Sequence, residues 1–276
     1  MPLMTTTPFF VLPSVSGWDL TTATYTGVSF SVNAQDIAPY GIAFKPDGTK
    51  MYVVGDGNDS VYSYTLSTPW SVATATFGGV TFSVGAQDTQ PKDVSFKPDG
   101  TKMYVTASLN DAIFQYTLST PWDISTATYD NTTFSIALQA SDLISVSFKP
   151  DGTKMYAVGG TNYDRVYQYT LSAAWDLSTA SYDNSFFSAS AQDSFLAGLA
   201  FKPDGTKLFL AGGNTDTIFQ YTLSTPWNVT TASYDSVSFS VGAQEGFPSG
   251  FTFRSDNGTK MYVLGPLTDT VYEYNL

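Results

Sequence analysis

The stretch Ile42-Ala43-Phe44-Lys45-Pro46-Asp47-Gly48-Thr49-Lys50-Met51-Tyr52-Val53 decides the fold, because its centre returns along the whole chain. Phe-Lys-Pro-Asp-Gly-Thr-Lys begins at Phe44, Phe96, Phe148 and Phe201, and a degenerate copy runs Phe253-Arg254-Ser255-Asp256-Asn257-Gly258-Thr259-Lys260. Successive copies lie 52, 52, 53 and 52 residues apart. Trp18, Trp70, Trp122, Trp175 and Trp227 keep that spacing, as do Gln35, Gln87, Gln139, Gln192 and Gln244. Three coincident series are a tandem repeat of five units.

One unit reads as four short strands. Gly41 to Phe44 runs into the Pro46-Asp47-Gly48 turn, where glycine accepts a positive φ without penalty. Lys50 to Val54 follows, then a Gly/Asn/Asp loop at residues 55–59, then Val61 to Leu66 with tyrosines alternating along it. A fourth stretch ends in Val80 to Val84. Such units build either a propeller or an open solenoid. Trp18 to Val32 is a fourth strand with no preceding three, and Val271 to Leu276 is a third strand with no fourth. Pairing the two removes both exposed edges. The expectation is an all-β, closed five-bladed propeller over residues 18–276, preceded by an arm over residues 1–17.

The quoted phrase resembles the repeat of the YVTN, or lactonase-like, propeller family. The resemblance covers the first two strands of each unit, and the family's usual blade count is seven. It implies a blade fold and no particular activity, since its members range from enzymes to surface-layer proteins. Five-bladed lectins of the tachylectin type are a further architectural parallel.

Composition removes several functions. The formal net charge is −12, which disfavours nucleic acid and anionic membranes as partners. Neither cysteine nor histidine occurs, so disulfides, thiolate or imidazole metal ligands and standard catalytic triads are excluded. No apolar run reaches the length of a membrane helix, and the N-terminus lacks a basic n-region, so neither membrane insertion nor a cleaved signal peptide is expected. No cofactor motif is present. Calcium is a weak expectation only, because Gly55-Asp56-Gly57-Asn58-Asp59 lacks a downstream bidentate glutamate and reads better as a turn.

Loops between the first and second strands and between the third and fourth should share one side of the disc, here the turn side. The linking side carries the other loops and the blade linkers. Ten of the 12 basic residues belong to the repeated turn, whose five aspartates leave it five positive charges in excess. The rest of the chain is strongly negative, which predicts an electrically polarised disc. On the linking side, Asp59, Asp111, Asp164, Asp216 and Asp269 read as Asx-turn residues before the third strands. Asp36, Asp88, Asp193 and Glu245 recur in the linkers, with Ala140 in the fifth place. Their oxygens could meet sugar hydroxyls or calcium.

The candidate ligand-binding residues are those linker carboxylates, the five glutamines near the expected channel mouth, and residues that break the repeat. The last are Tyr40, Lys92, Asp93, Phe195 and Phe247, with Tyr163 and Arg165 unique to the third copy. Variable loops on a rigid scaffold are where specificity resides. The glutamines also admit a structural reading as bonds to loop backbone. The tryptophans, and Tyr62, Phe114, Tyr167, Phe219 and Tyr272, read as packing.

Two functions follow. One is non-catalytic binding or assembly, as a phage virion or bacterial surface component recognising a glycan or a neighbouring protein, with residues 1–17 able to dock on an adjacent subunit. The other is a glycoside hydrolase using Asp36, Asp88, Asp93, Asp193 or Glu245. Most of these are repeat residues, whereas a catalytic pair needs two carboxylates in unlike environments.

Overall fold

A computed structural model describes residues 17–159 and 164–276. Most of the proposed arm and Tyr163 therefore lie outside the described residues. The chain forms five four-stranded antiparallel sheets. Blade 1 comprises Pro39–Phe44, Lys50–Gly55, Ser60–Leu66 and Ala75–Ser83, from the axis outward. Blades 2 to 4 repeat it. Blade 5 takes Gly250–Phe253, Lys260–Leu264 and Thr270–Asn275 from the C-terminus and its outer strand, Thr24–Ser31, from the N-terminus. Tyr25 pairs with Tyr274 and Phe30 with Val271, antiparallel, as the expected ring closure requires.

Each blade is locked to the next through its tryptophan. Trp70 has φ 65°, a backbone state that bulky side chains avoid, and the other four tryptophans lie between 63° and 70°. Its N–H donates to the Gly48 carbonyl at 3.0 Å, and its indole lies directly on that glycine. Its own carbonyl accepts the Tyr262 hydroxyl of blade 5 at 2.6 Å. Tyr52, Tyr104 and Tyr156 donate likewise to Trp122, Trp175 and Trp227 at 2.6–2.7 Å. At the fifth junction Phe209 faces Trp18 and brings no hydroxyl. A phenylalanine from each innermost strand slots between the same blades, Phe44 against Tyr262 and Phe96 against Tyr52, both with centroids at 4.5 Å.

A second staple was not foreseen from the sequence. The third-strand Gln115 donates to Asp130 of its own outer strand at 2.8 Å and accepts the Leu177 N–H of the next blade at 2.9 Å. Lys102 completes the group at 3.0 Å from Asp130. Gln168 with Asp183 and Lys154, and Gln220 with Asp235 and Lys207, repeat it. In blade 5 Glu273 replaces the glutamine and pairs directly with Lys260. These acids, with Asp19, Asp123 and Asp176 in the third-to-fourth loops, change the charge map. The turn side holds the ten repeat cations but twelve carboxylates, so it is nearly neutral, not positive as its turns alone suggest. Of the remaining twelve acids Asp93 lies on the axis, and the other eleven, against Lys92 and Arg165, leave the linking side strongly negative.

Outer strands alternate exposed and half-buried residues. Each carries a bulge with a positive-φ residue, Gly27, Gly79, Asn131, Asn184 or Ser236. The bulge twists an edge that would otherwise template pairing with another chain.

Glycine substitutions separate strain from packing. Gly78→Ala meets open space at ordinary φ and should leave stability within about 0.5 kcal/mol. Gly79→Ala, at φ 81° in open space, should lose about 1 kcal/mol from backbone strain. Gly100→Ala adds overlap with the Trp122 indole at φ 75° and should lose about 3 kcal/mol by urea unfolding. Conversely, Phe209→Tyr supplies the hydroxyl missing at the fifth junction and should stabilise by about 1 kcal/mol.

Candidate functional site

The linker carboxylates are buried, and each clamps its linker to the second-to-third loop of the same blade. Asp36 accepts the N–H groups of Ala38 (2.8 Å), Gly57 (3.2 Å) and Asn58 (3.2 Å) and the Tyr62 hydroxyl (3.3 Å). Asp88 accepts from Gln90 and from the backbone and amide of Asn110. Asp193 accepts from Phe195, Asn214 and Thr215, and Glu245 from Phe247 and Thr268. Burial pushes the Asp36 and Glu245 carboxyls up, partly opposed by these same hydrogen bonds. These hydrogen bonds tie each of the four carboxylates to its own blade and give it a part in the scaffold. Asp56, in the calcium-like loop, pairs with Lys92.

Four of the five glutamines act as acceptors for tyrosine hydroxyls. Each follows the outer strand, and the amide oxygens of Gln35, Gln87, Gln192 and Gln244 accept the hydroxyls of Tyr64, Tyr116, Tyr221 and Tyr274 at 3.2–3.4 Å. Among the described residues Gln139 makes no such bond, and the Tyr169 hydroxyl is buried without a partner. This is the blade with Ala140 in place of the linker carboxylate. The second-to-third-loop aspartates also differ from the Asx-turn reading. Asp59, Asp111, Asp216 and Asp269 adopt φ of 48–52°, and their carbonyls accept the first N–H after the outer strand, such as Val84 to Asp59 at 2.8 Å.

Four of the residues that break the repeat do converge. Lys92 lies over the Tyr40 ring, 3.5 Å from its centroid, and pairs with Asp56. The Tyr40 carbonyl accepts the Ser249 hydroxyl at 3.0 Å, joining blade 1 to blade 5. Two residues back, Phe247 meets Phe195 of blade 4 with centroids 5.7 Å apart. Phe195, Phe247, Tyr40 and Lys92 therefore form an arc around the axis on the linking side, each half-buried. Leu267 is 67% exposed beside Gly246 at its rim. Arg165 lies apart from the arc, stacked over Phe186 of the outer strand at 4.1 Å.

Asp93 departs from the other acids. Its equivalents around the axis are Gly41, Ser145, Gly198 and Gly250. Here the innermost strands crowd together, and a Cβ on Gly41 would lie 2.6 Å from the Cα of Asp93. The carboxylate accepts the Ser145 hydroxyl (2.7 Å) and the N–H groups of Val94 (2.8 Å) and Val146 (3.1 Å). Exclusion from bulk water raises its carboxyl to about 6. It lines an axial cavity of about 290 Å³, walled by Phe44, Phe96, Phe148, Phe201 and Phe253 and rimmed by turn prolines and tryptophans. The cavity is thus formed toward the turn side, whereas the sequence placed the functional mouth on the linking side.

These features define a five-bladed β-propeller. No family model matches the chain, and no curated protein sequence matches it. Solved structures do share the fold. A luciferin-regenerating enzyme aligns at TM-score 0.55 and 12% identity over 90% of this chain and 94% of its own. A candidate 6-phosphogluconolactonase from Bacteroides uniformis aligns at 0.52 and 15% identity, over 85% of this chain. The chain spans 65% of that protein's length. A nidogen/laminin complex aligns at 0.51 and 15% identity, over 82% of this chain and 72% of its own. The likeness to lactonase-like and luciferin-regenerating propellers is distant and extends to the fold.

The raised Asp93 carboxyl gives a signed pH dependence. Its folded form holds a proton up to about pH 6, well above an unfolded aspartate near 4. Between those values the folded state binds more protons, so this group's contribution to stability falls as pH rises. Asp93→Asn should flatten that part of the profile, which urea unfolding at pH 4 to 7 measures.

Proposed function

We propose that this propeller is a non-catalytic recognition module, a virion or surface component that engages a glycan or a neighbouring protein through the arc Phe195–Phe247–Tyr40–Lys92. One observation carries the reading. Four side chains that the repeat does not require meet on one side of the axis, while the repeated carboxylates around them are consumed by loop clamps. Aromatic faces beside a cation and a carboxylate suit the apolar face and hydroxyls of a sugar, or an aromatic-rich protein hot spot. The acidic surround favours partners without strong negative charge. Its neighbours in structure include a luciferin-regenerating enzyme and a nidogen/laminin complex, so the fold leaves both classes open.

The glycoside hydrolase alternative has one feature in its favour, the acid-like Asp93. Asp93 is the one Asp or Glu among the described residues lining the cavity, whereas such a reaction uses two carboxylates.

A glycan array with the purified chain, followed by Tyr40→Ala and Phe247→Ala, tests the recognition reading. Binding should fall by about tenfold or more in each variant, with the melting temperature little changed. Signals untouched by both variants would refute the arc as the binding surface. A blank array would move the reading toward protein assembly. Deleting residues 1–16 and measuring oligomerisation then tests the arm as the docking element.

A further inference from the structure

The axial cavity is separate from the arc and has a chemistry of its own. Its wall contains six phenylalanines, one from each of blades 1 to 4 and both Phe251 and Phe253 from blade 5, and a single ionisable side chain among the described residues, Asp93. Asp93 occupies the position three residues before Phe96 on the same strand, about 10 Å deeper along the axis. The cavity is therefore an aromatic ring with an anion at its inner end.

Among the described residues that anion has hydrogen-bond donors but no cation partner. The neighbouring innermost strands present Gly41 and Ile42 on one flank and Ser145 and Val146 on the other. Its cross-strand partner Thr106 is buried, with a hydroxyl lacking any partner among the described residues. Lys92, the adjacent cation in sequence, is turned to Asp56 and the Tyr40 ring. The turn cations near the rim are paired within their own turns: Lys45, Lys97, Lys149 and Lys202 lie 2.7–2.8 Å from Asp47, Asp99, Asp151 and Asp204. Arg254 is held by Asp256 at 2.7 Å. None of these cations neutralises Asp93.

A half-buried carboxylate at the inner end of an aromatic cavity favours a positive partner, and phenylalanine rings attract a weakly hydrated cation through their quadrupoles. The volume is just below the range for drug-sized ligands, so the occupant is small. We propose that the axial cavity binds a small organic cation of the quaternary- or alkylammonium class, its charge held between the phenylalanine ring and the Asp93 carboxylate. A neutral amphiphile would satisfy the aromatic wall and leave the carboxylate without a counter-charge.

Calorimetric titration of the full chain at pH 7.5 with choline, and with its uncharged isostere 3,3-dimethylbutan-1-ol, tests this. Choline should bind about tenfold tighter than the alcohol. Its affinity should fall at pH 5, where Asp93 is protonated. Asp93→Asn should remove both the preference and the pH dependence, and Phe96→Leu should weaken choline more than the alcohol. Should Asp93→Asn not fold, Phe148→Leu and the pH series carry the same test. Equal affinity for the two ligands, binding of neither, or choline affinity unchanged in Asp93→Asn would overturn the proposal. Tyr40→Ala and Phe247→Ala should leave choline binding intact, so failure of the arc and failure of the cavity are told apart.

Discussion

The ring depends on a tryptophan held in a left-handed backbone state. Alone, that conformation is unfavourable for a bulky residue by about 1–2 kcal/mol. It persists because each indole rests on a turn glycine with no room for a Cβ, and because the inverted peptide aims its carbonyl at the preceding blade. There a buried tyrosine hydroxyl meets it in four junctions of five. Strain within one blade is thereby offset by contacts to the next, and every blade relies on its neighbour. The arrangement is satisfied throughout only when the ring closes, so Trp18 and the strand Thr24–Ser31 must return to the C-terminal sheet.

The Gln–Asp–Lys staples follow the same logic with polar groups. A buried glutamine satisfies its amide within its own blade and its oxygen on a loop N–H of the next. The two departures fall in blade 5, where the ring closes, and in blade 1 beside it. Blade 1 has Ser63 at the glutamine position, and Lys50 reaches instead to the Trp122 carbonyl at 3.1 Å. Blade 5 substitutes Glu273, whose second oxygen accepts the Val72 N–H at 3.4 Å. Repeat identity is thus kept where a group serves two blades and relaxed where another donor or acceptor can take over.

This explains what the sequence disclosed. Periodic Trp, Phe and Asp-Gly positions announce themselves because the same interblade contact selects them five times, and blade count and closure followed from them. Roles that depend on where a side chain points were not legible. Asp36 and Asp93 lie in the same broad region of the repeat, yet one clamps a loop and the other faces the axis. The glutamines were periodic and polar, which fits a ligand ring as well as a tyrosine acceptor. Only the tyrosine geometry separates the two. The misjudged charge of the turn side has a similar origin. Asp130, Asp183 and Asp235 sit about 30 residues from the lysines they neutralise and meet them only across the sheet.

Fivefold geometry also indicates where novelty can enter. At the narrowest ring of the axis, small residues are demanded because five strands converge: Gly41, Gly198 and Gly250 leave almost no space, and Ser145 fits. Asp93 is tolerated there because the space its neighbours give up is enough for one carboxylate, and their backbone and hydroxyl groups hydrogen-bond it. A second such side chain would have neither volume nor donors. The repeat thus permits one charge on its axis, and that charge faces a cavity walled by the phenylalanines that hold the blades together. The packing that closes the ring and the chemistry available at its centre are set by the same residues.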